Sequence, residues 1–190
     1  MAAGHQSRGR MSLKDLTWDK HQAAEATDFM KSVFKKKMPI SVWADYTYNK
    51  MLWYGAIETK ASAEGYLDDL PGIQRAYFLY QDSKELLNGE FPRFRQTAID
   101  YHRYILDLPP GQVLAHLYVW HMGDLFGGQM IKKILPPPHR NLDFKDVDSL
   151  KAAMRPKLDD SLGEEANIAF DWAIKIMDSY KDELGLEHTD

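Results

Sequence analysis

The chain has 190 residues and a formal net charge of −4, with 44% hydrophobic and 27% charged residues, which suits one ordinary globular domain with a sizeable core. The charge argues against a general nucleic-acid binder, and the lack of cysteine excludes disulfides, thiolate catalysis and Cys-ligated zinc or iron–sulfur sites. No apolar run approaches the ~18 residues of a membrane span, and residues 1–10 lack the apolar stretch of a secretory signal.

Strand signals are nearly absent: valine occurs five times, and no sustained alternation of apolar and polar residues is bounded by turns. Residues 1–11 read as a disordered leader or cloning remnant, which sets His5 aside, and 12–190 as one all-helical domain. Ser12 with Asp15 resembles a capping pair that opens a first helix reaching about Ser32. Within it, Ala23, Thr27, Met30 and Phe34 form an apolar face expected to pack in the core. The run Lys35-Lys36-Lys37-Met38-Pro39 breaks the pattern. A second helix is predicted from about Ser41 to Ala63, with Val42, Tyr46, Trp53 and Ile57 among its apolar positions. A third follows the Pro71-Gly72 turn, from about Ile73 to Leu87, and Asn88-Gly89 ends it because both residues tolerate left-handed backbone. Pro92 suits a first helical position, so a fourth helix is predicted from there to about Leu108, before Pro109-Pro110-Gly111. Pro136-Pro137-Pro138 closes the fifth. A loop to about Asp146 then leads to two last helices, near Asp148–Asp159 and Gly163–Leu186.

The fifth segment, His116–Lys133, organises the chain. Leu117, Trp120, Leu125, Met130 and Ile131 recur at helical spacing, yet Gly123, Gly127 and Gly128 interrupt it. Each glycine inside a helix costs ~1 kcal/mol relative to alanine, so three within six residues need a reason. Gly123 and Gly127 share one face, with Asp124 beside it. Two arrangements account for such a bare strip: a close crossing with another helix, or a helix laid over a flat ligand with one acid held next to it.

His21 and Glu25 are four apart and share a helix face, with Lys14 about two turns earlier on nearly the same face. A neutral imidazole is a suitable haem ligand, and Glu25 would accept a hydrogen bond from its second nitrogen, directly or through water. A solvated polar face is the alternative. Lys151 and Arg155, also four apart, would suit a dianion, and otherwise make a solvated basic face. His116 and His121 are poorly spaced for one metal, His102 and His116 read as structural, and His139, after the prolines, is expected to be exposed. No Glu-x-x-His, nucleophile elbow or phosphate-binding glycine loop occurs.

The core Gly123-Asp124-Leu125-Phe126-Gly127-Gly128-Gln129 closely resembles the distal-helix signature of haem oxygenases, usually GDLSGGQ. His21-Gln22-Ala23-Ala24-Glu25 with Phe29-Met30 resembles that family's proximal-ligand segment, and the likeness extends over residues 12–186. The resemblance implies an all-α, single-domain bundle with haem between a proximal and a distal helix. His21 would be the axial iron ligand, with Glu25 beside it. Gly123, Gly127 and Gly128 would be backbone contacts on the distal side, Asp124 the anchor of a water network, and Tyr54 a member of it. Lys14, Tyr118, Lys151 and Arg155 would meet the propionates. Three positions depart from the commonest pattern: Phe126 replaces Ser, Trp120 replaces Arg and Met154 replaces Tyr.

The implied activity is oxidative opening of haem b to biliverdin (the IXα isomer), carbon monoxide and ferrous iron. It uses O2 and external electrons, through a His-ligated ferric hydroperoxide that attacks a meso carbon. Haem would be both substrate and prosthetic group. Ferredoxin would supply electrons to a soluble cytoplasmic enzyme, docking on Lys35–Lys37 and Lys132–Lys133, and a bilin reductase would act downstream. A haem carrier or sensor is a competing reading, disfavoured because storage needs no oriented distal water. A non-haem member of the same helical class, acting on a thiamine precursor or holding two irons, is another.

Overall fold

The structure, a computed structural model, describes residues 11–185, and these form helices and no strand. The expected leader apart from Met11 lies outside the described residues, and the last helix, expected to reach about Leu186, ends at Asp178, with a separate 3-10 turn at Lys181–Glu183 after it.

The predicted first helix is three short ones, α1 (Leu13–Leu16), α2 (Trp18–Glu25) and α3 (Asp28–Phe34). Ser12 caps α1 as expected, its hydroxyl accepting the Asp15 amide at 3.2 Å. Two buried threonines make the breaks. Thr17 donates to the Leu13 carbonyl at 2.9 Å, while Thr27 donates to that of Ala24 at 2.9 Å and accepts the Met30 amide at 3.3 Å. Such local bonds compete with the helix ladder and turn the chain. One helical period therefore does not run through Thr27. Ala24, Phe29 and Val33 fill the core, Met30 is half-buried, and Ala23 and Phe34 are exposed. The expected core face of Ala23, Thr27, Met30 and Phe34 is thus corrected at Ala23 and Phe34, while Thr27 is buried and Met30 packs against the core.

Helix α4 (Ile40–Ala63) is the central element. Thirteen of its 24 residues are buried, Val42, Tyr46, Trp53 and Ile57 among them, so more than one face is covered by neighbours. Against it pack α5 (Ala76–Leu86) and α6 (Gln96–Leu106). Both begin later than predicted, and both for reasons supplied by α4. The Glu58 carboxylate accepts the amides of Arg75 and Ala76, capping α5 from a different helix. Asn49 accepts the Arg95 amide at 2.8 Å and Asp45 its guanidinium at 2.8 Å, so residues 92–95 run extended toward α4 before α6 starts. Asn88 and Gly89 follow α5 at φ 52° and 78°, the left-handed ending expected there.

The predicted fifth helix is likewise divided: α7 (Val113–Leu117), a π turn at Tyr118–Met122, α8 (Gly123–Phe126) and α9 (Gly128–Ile134). After α10 (Val147–Met154), α11 (Gly163–Asp178) packs on α2, α3, α6, α7 and the π turn, bracing both ends of the chain. Its Glu165 ends a buried relay. The Trp120 indole donates to the Tyr101 hydroxyl at 2.8 Å, which meets His116 Nδ1 at 2.6 Å, and His116 Nε2 meets Glu165 at 2.8 Å. Glu165 also accepts from Tyr104 at 2.7 Å. A neutral imidazole protonated on Nε2 satisfies every member. His116 is structural, as expected, and so is His102, whose Nδ1 lies 3.0 Å from the Leu52 carbonyl.

Burial pushes the His116 pKa below its ordinary 6.5, against the opposing pull of Glu165. The unfolded imidazole therefore takes up a proton at a higher pH than the folded one. The stability this contributes is present above pH 6.5 and is lost as pH falls through the folded value. In His116→Gln, the decline of unfolding free energy over roughly one pH unit below that point should flatten, measured by urea titration. An unchanged slope would place the acid sensitivity elsewhere.

Candidate active site

Asp124, at the start of α8, has a buried carboxylate reached from α4. The Tyr54 hydroxyl donates to Oδ2 at 2.5 Å, and Lys50 Nζ lies 3.2 and 3.1 Å from Oδ1 and Oδ2. Burial first, and the Asp124 charge second, raise the Tyr54 phenol well above its ordinary value, so it stays a donor. Glu58, one turn beyond Tyr54, meets His121 Nε2 at 3.0 Å, and the His121 ring lies 4.4 Å from that of Tyr54. Asp124 and Tyr54, each expected in one distal hydrogen-bond network, are bonded to each other directly. Lys50 and Glu58 escaped the sequence reading, and His121 was weighed only as a metal ligand, although a signal existed: a helix covered on more than one face cannot carry Lys50 and Glu58 without buried partners. Trp120, at the position where arginine is common, is buried and turned to Tyr101.

The glycines divide by role. A Cβ on Gly123 would meet nothing within 4 Å; one on Gly127 would lie 3.3 Å from the Gly123 carbonyl oxygen. Both residues are exposed, and the exposed apolar side chains of Phe126 (54%) and Met130 (60%) flank them. A Cβ on Gly128 would instead stand 2.9 Å from Leu142 Cδ2. Gly128 is buried there, apart from the exposed face that Gly123 and Gly127 share. It serves close packing, while the other two keep the surface bare. The π turn immediately before Gly123 is the register change that ends the regular helix, and such turns are frequent at functional sites.

On α2, His21 has a side chain 45% exposed, and its Nε2 lies 3.3 Å from the Glu25 carboxylate. Its ring stands 5.8 Å from both Trp18 and Phe170, the latter from α11. Lys14 is exposed, 6.0 Å from the Trp18 ring. Trp18 and Phe34 are large exposed apolar groups on α2 and α3, and α3 packs against α9. Lys151 Nζ sits 3.8 Å over the Phe126 ring, which brings the α10 cation to the edge of the bare stripe. Arg155 is exposed in the 3-10 turn after α10, and Tyr118 is half-buried at the start of the π turn. Met154 is fully buried and packs in the core, and His139 is half-buried rather than exposed. The donor set fits a flat apolar ligand that carries a metal for an imidazole and an anionic edge for cations. Beside Gly123 no atom stands within 4 Å of where a Cβ would lie.

A family described as haem oxygenase matches residues 10–179. Rabbit (Oryctolagus cuniculus) haem oxygenase 2 is 27% identical over 200 residues, covering 86% of this chain and 63% of its own length. Haem oxygenase 1 of Synechocystis sp. is 25% identical over 161 residues, 74% of this chain and 66% of its own. The chain thus spans under two thirds of the length of these curated relatives. Among solved structures, haem oxygenase-1 from Synechocystis in complex with haem gives a TM-score of 0.79 at 22% identity, covering 90% of this chain and 91% of that one. Haem oxygenase from Leptospira interrogans gives 0.79 at 23%, covering 88% and 97%. At such identities these two show the fold.

The division among glycines is testable in the protein without ligand. Gly128→Ala should destabilise it, the overpacking cost of about 1–3 kcal/mol as Leu142 gives way outweighing the ~1 kcal/mol gained in helix propensity. Denaturant unfolding measures this, and a neutral or stabilising result would remove the packing role.

Proposed function

Because the chain belongs to the haem oxygenase family, we propose that it opens haem to biliverdin, the IXα isomer, with release of carbon monoxide and ferrous iron. The observation that carries this reading is the exposed, side-chain-free pair Gly123 and Gly127, flanked by the apolar Phe126 and Met130, alongside the buried carboxylate of Asp124. Bound haem supplies the iron that takes up dioxygen and is itself the ring that is opened.

This chain's residues do the remaining work. His21 would hold the iron through its imidazole, with Glu25 beside the ring to orient it. Gly123 and Gly127 put main chain rather than side chains over the distal side, which leaves room for a diatomic ligand and limits how it stands. Asp124 accepts from Tyr54 and Lys50 and has acceptor capacity left for a water that delivers a proton. Lys14, Tyr118, Lys151 and Arg155 would meet the propionates and so fix which edge of the ring lies nearest the distal helix; an ångström of misplacement there is costly. Phe126, under Lys151, gives that cation a fixed seat.

Electrons would come from ferredoxin in the cytoplasm, with a bilin reductase receiving the product. Lys35, Lys36, Lys37 and Lys133 are exposed and suit an acidic partner, whereas Lys132 is already paired with Asp143. Among the described residues no helix is long and apolar enough to cross a membrane.

The purified protein should take up haemin with the spectrum of a His-ligated haem, and with reduced ferredoxin and oxygen yield biliverdin on chromatography. A Soret band that persists through this treatment would leave a carrier. His21→Ala should lose the His-ligated spectrum. Asp124→Ala should bind haem yet lose on the order of 100-fold in biliverdin formation, with peroxidase-like oxidation in its place. Biliverdin at the parent rate would remove Asp124 from the proton path.

A further inference from the structure

We propose that Lys50 is a positioning residue of the distal side: it locks the Asp124 carboxylate in the one orientation that places its proton-carrying water. This rests on the haem oxygenase reading. Lys50 is 6% exposed, and its ammonium lies 3.2 and 3.1 Å from the two oxygens of Asp124. It also lies 4.9 Å from the ring of Tyr54, one helical turn away on the same face of α4. Stability alone does not explain a lysine here. Removing an ammonium from water costs several kcal/mol, and a buried ion pair is often no more stable than apolar side chains of the same volume. A methionine or leucine at position 50 would pack without that cost.

The pair does something an apolar residue cannot. The Tyr54 hydroxyl fixes Oδ2 alone, which leaves the carboxylate free to turn about its last bond. Lys50 bridges both oxygens and removes that freedom. Two groups from one rigid helix then set the carboxylate plane, and with it the direction of the lone pairs left for water. No cation at position 120 does this, because Trp120 brings none and its indole donates to Tyr101.

The test compares Lys50→Met, Lys50→Arg, Asp124→Asn and the double variant K50M/D124N. The readouts are the infrared C–O stretch of the carbon monoxide complex of the reduced haem protein and the rate of biliverdin formation. K50M should bind haemin, shift or broaden the C–O band, and lose about 10- to 100-fold in rate, the range for outer-shell partners of metal sites. K50R should keep the parent band. In the D124N background, K50M should add no further loss, because Lys50 acts through Asp124. If K50M alone does not fold, K50M/D124N, which leaves neither charge unpaired, is compared with D124N, and any further loss overturns the proposal. So does K50M with the parent band and rate. If the parent protein takes up no haemin, the functional reading is what fails. The lock is then judged in the ligand-free protein by NMR: exchange of the Tyr54 hydroxyl proton should speed up in K50M but not in K50R, and equal exchange in K50M and the parent overturns it.

Discussion

A carboxylate held below the surface, next to backbone that carries no side chains, is the constraint from which the rest of this molecule follows. An unpaired buried charge costs several kcal/mol, so Asp124 needs donors, and both come from α4. That requires α4 to pass directly beside α8, and its burial on several faces follows from this central path. α4 in turn determines where other helices start. Glu58 caps α5 and Asn49 and Asp45 hold the approach to α6, so the helix that serves the site also sets the frame around it. The π turn before Gly123 and the glycine break at 127 and 128 interrupt the distal segment where it must turn one acid inward and leave a bare stripe outward.

Much of this was legible in the residues. The helical class, the Ser12 cap, the left-handed ending at Asn88-Gly89 and the apolar positions of α4 all follow from spacing and turn chemistry. The boundaries that failed share a cause. Thr17 and Thr27 break the first helix by side-chain bonds to local carbonyls, and a threonine inside a helical pattern does not announce which bond it will make. The late starts of α5 and α6 depend on Glu58, Asn49 and Asp45, which are far away in sequence. Asp124 stood out beside the glycine strip and took its role from a resemblance, and Tyr54 was found through the resemblance alone. Lys50 was missed because its partner lies 74 positions away, and only the burial of the whole helix marks it.

The glycines fall into two classes by what lies beside them. Gly128 is small because Leu142 lies against it; Gly123 is small where nothing lies against it. The second case is the informative one. A helix position with open space beside it has no packing reason to forgo a side chain, and glycine there weakens the helix. The departures from the usual family pattern are accommodated rather than disruptive. Trp120 joins the Tyr101–His116–Glu165 relay, Met154 fills core, and Phe126 lies under Lys151 at the rim of the stripe.

The account turns on main chain at Gly123 facing a flat ligand, and replacing that residue by leucine tests it most directly. The new side chain meets open space and improves helix propensity, so ligand-free Gly123→Leu should unfold at the same or a higher urea concentration than the parent. Its affinity for haemin, measured by spectral titration, should fall by about ten-fold or more, equivalent to at least ~1.4 kcal/mol. Haemin binding at the parent affinity in a stably folded Gly123→Leu would contradict the account.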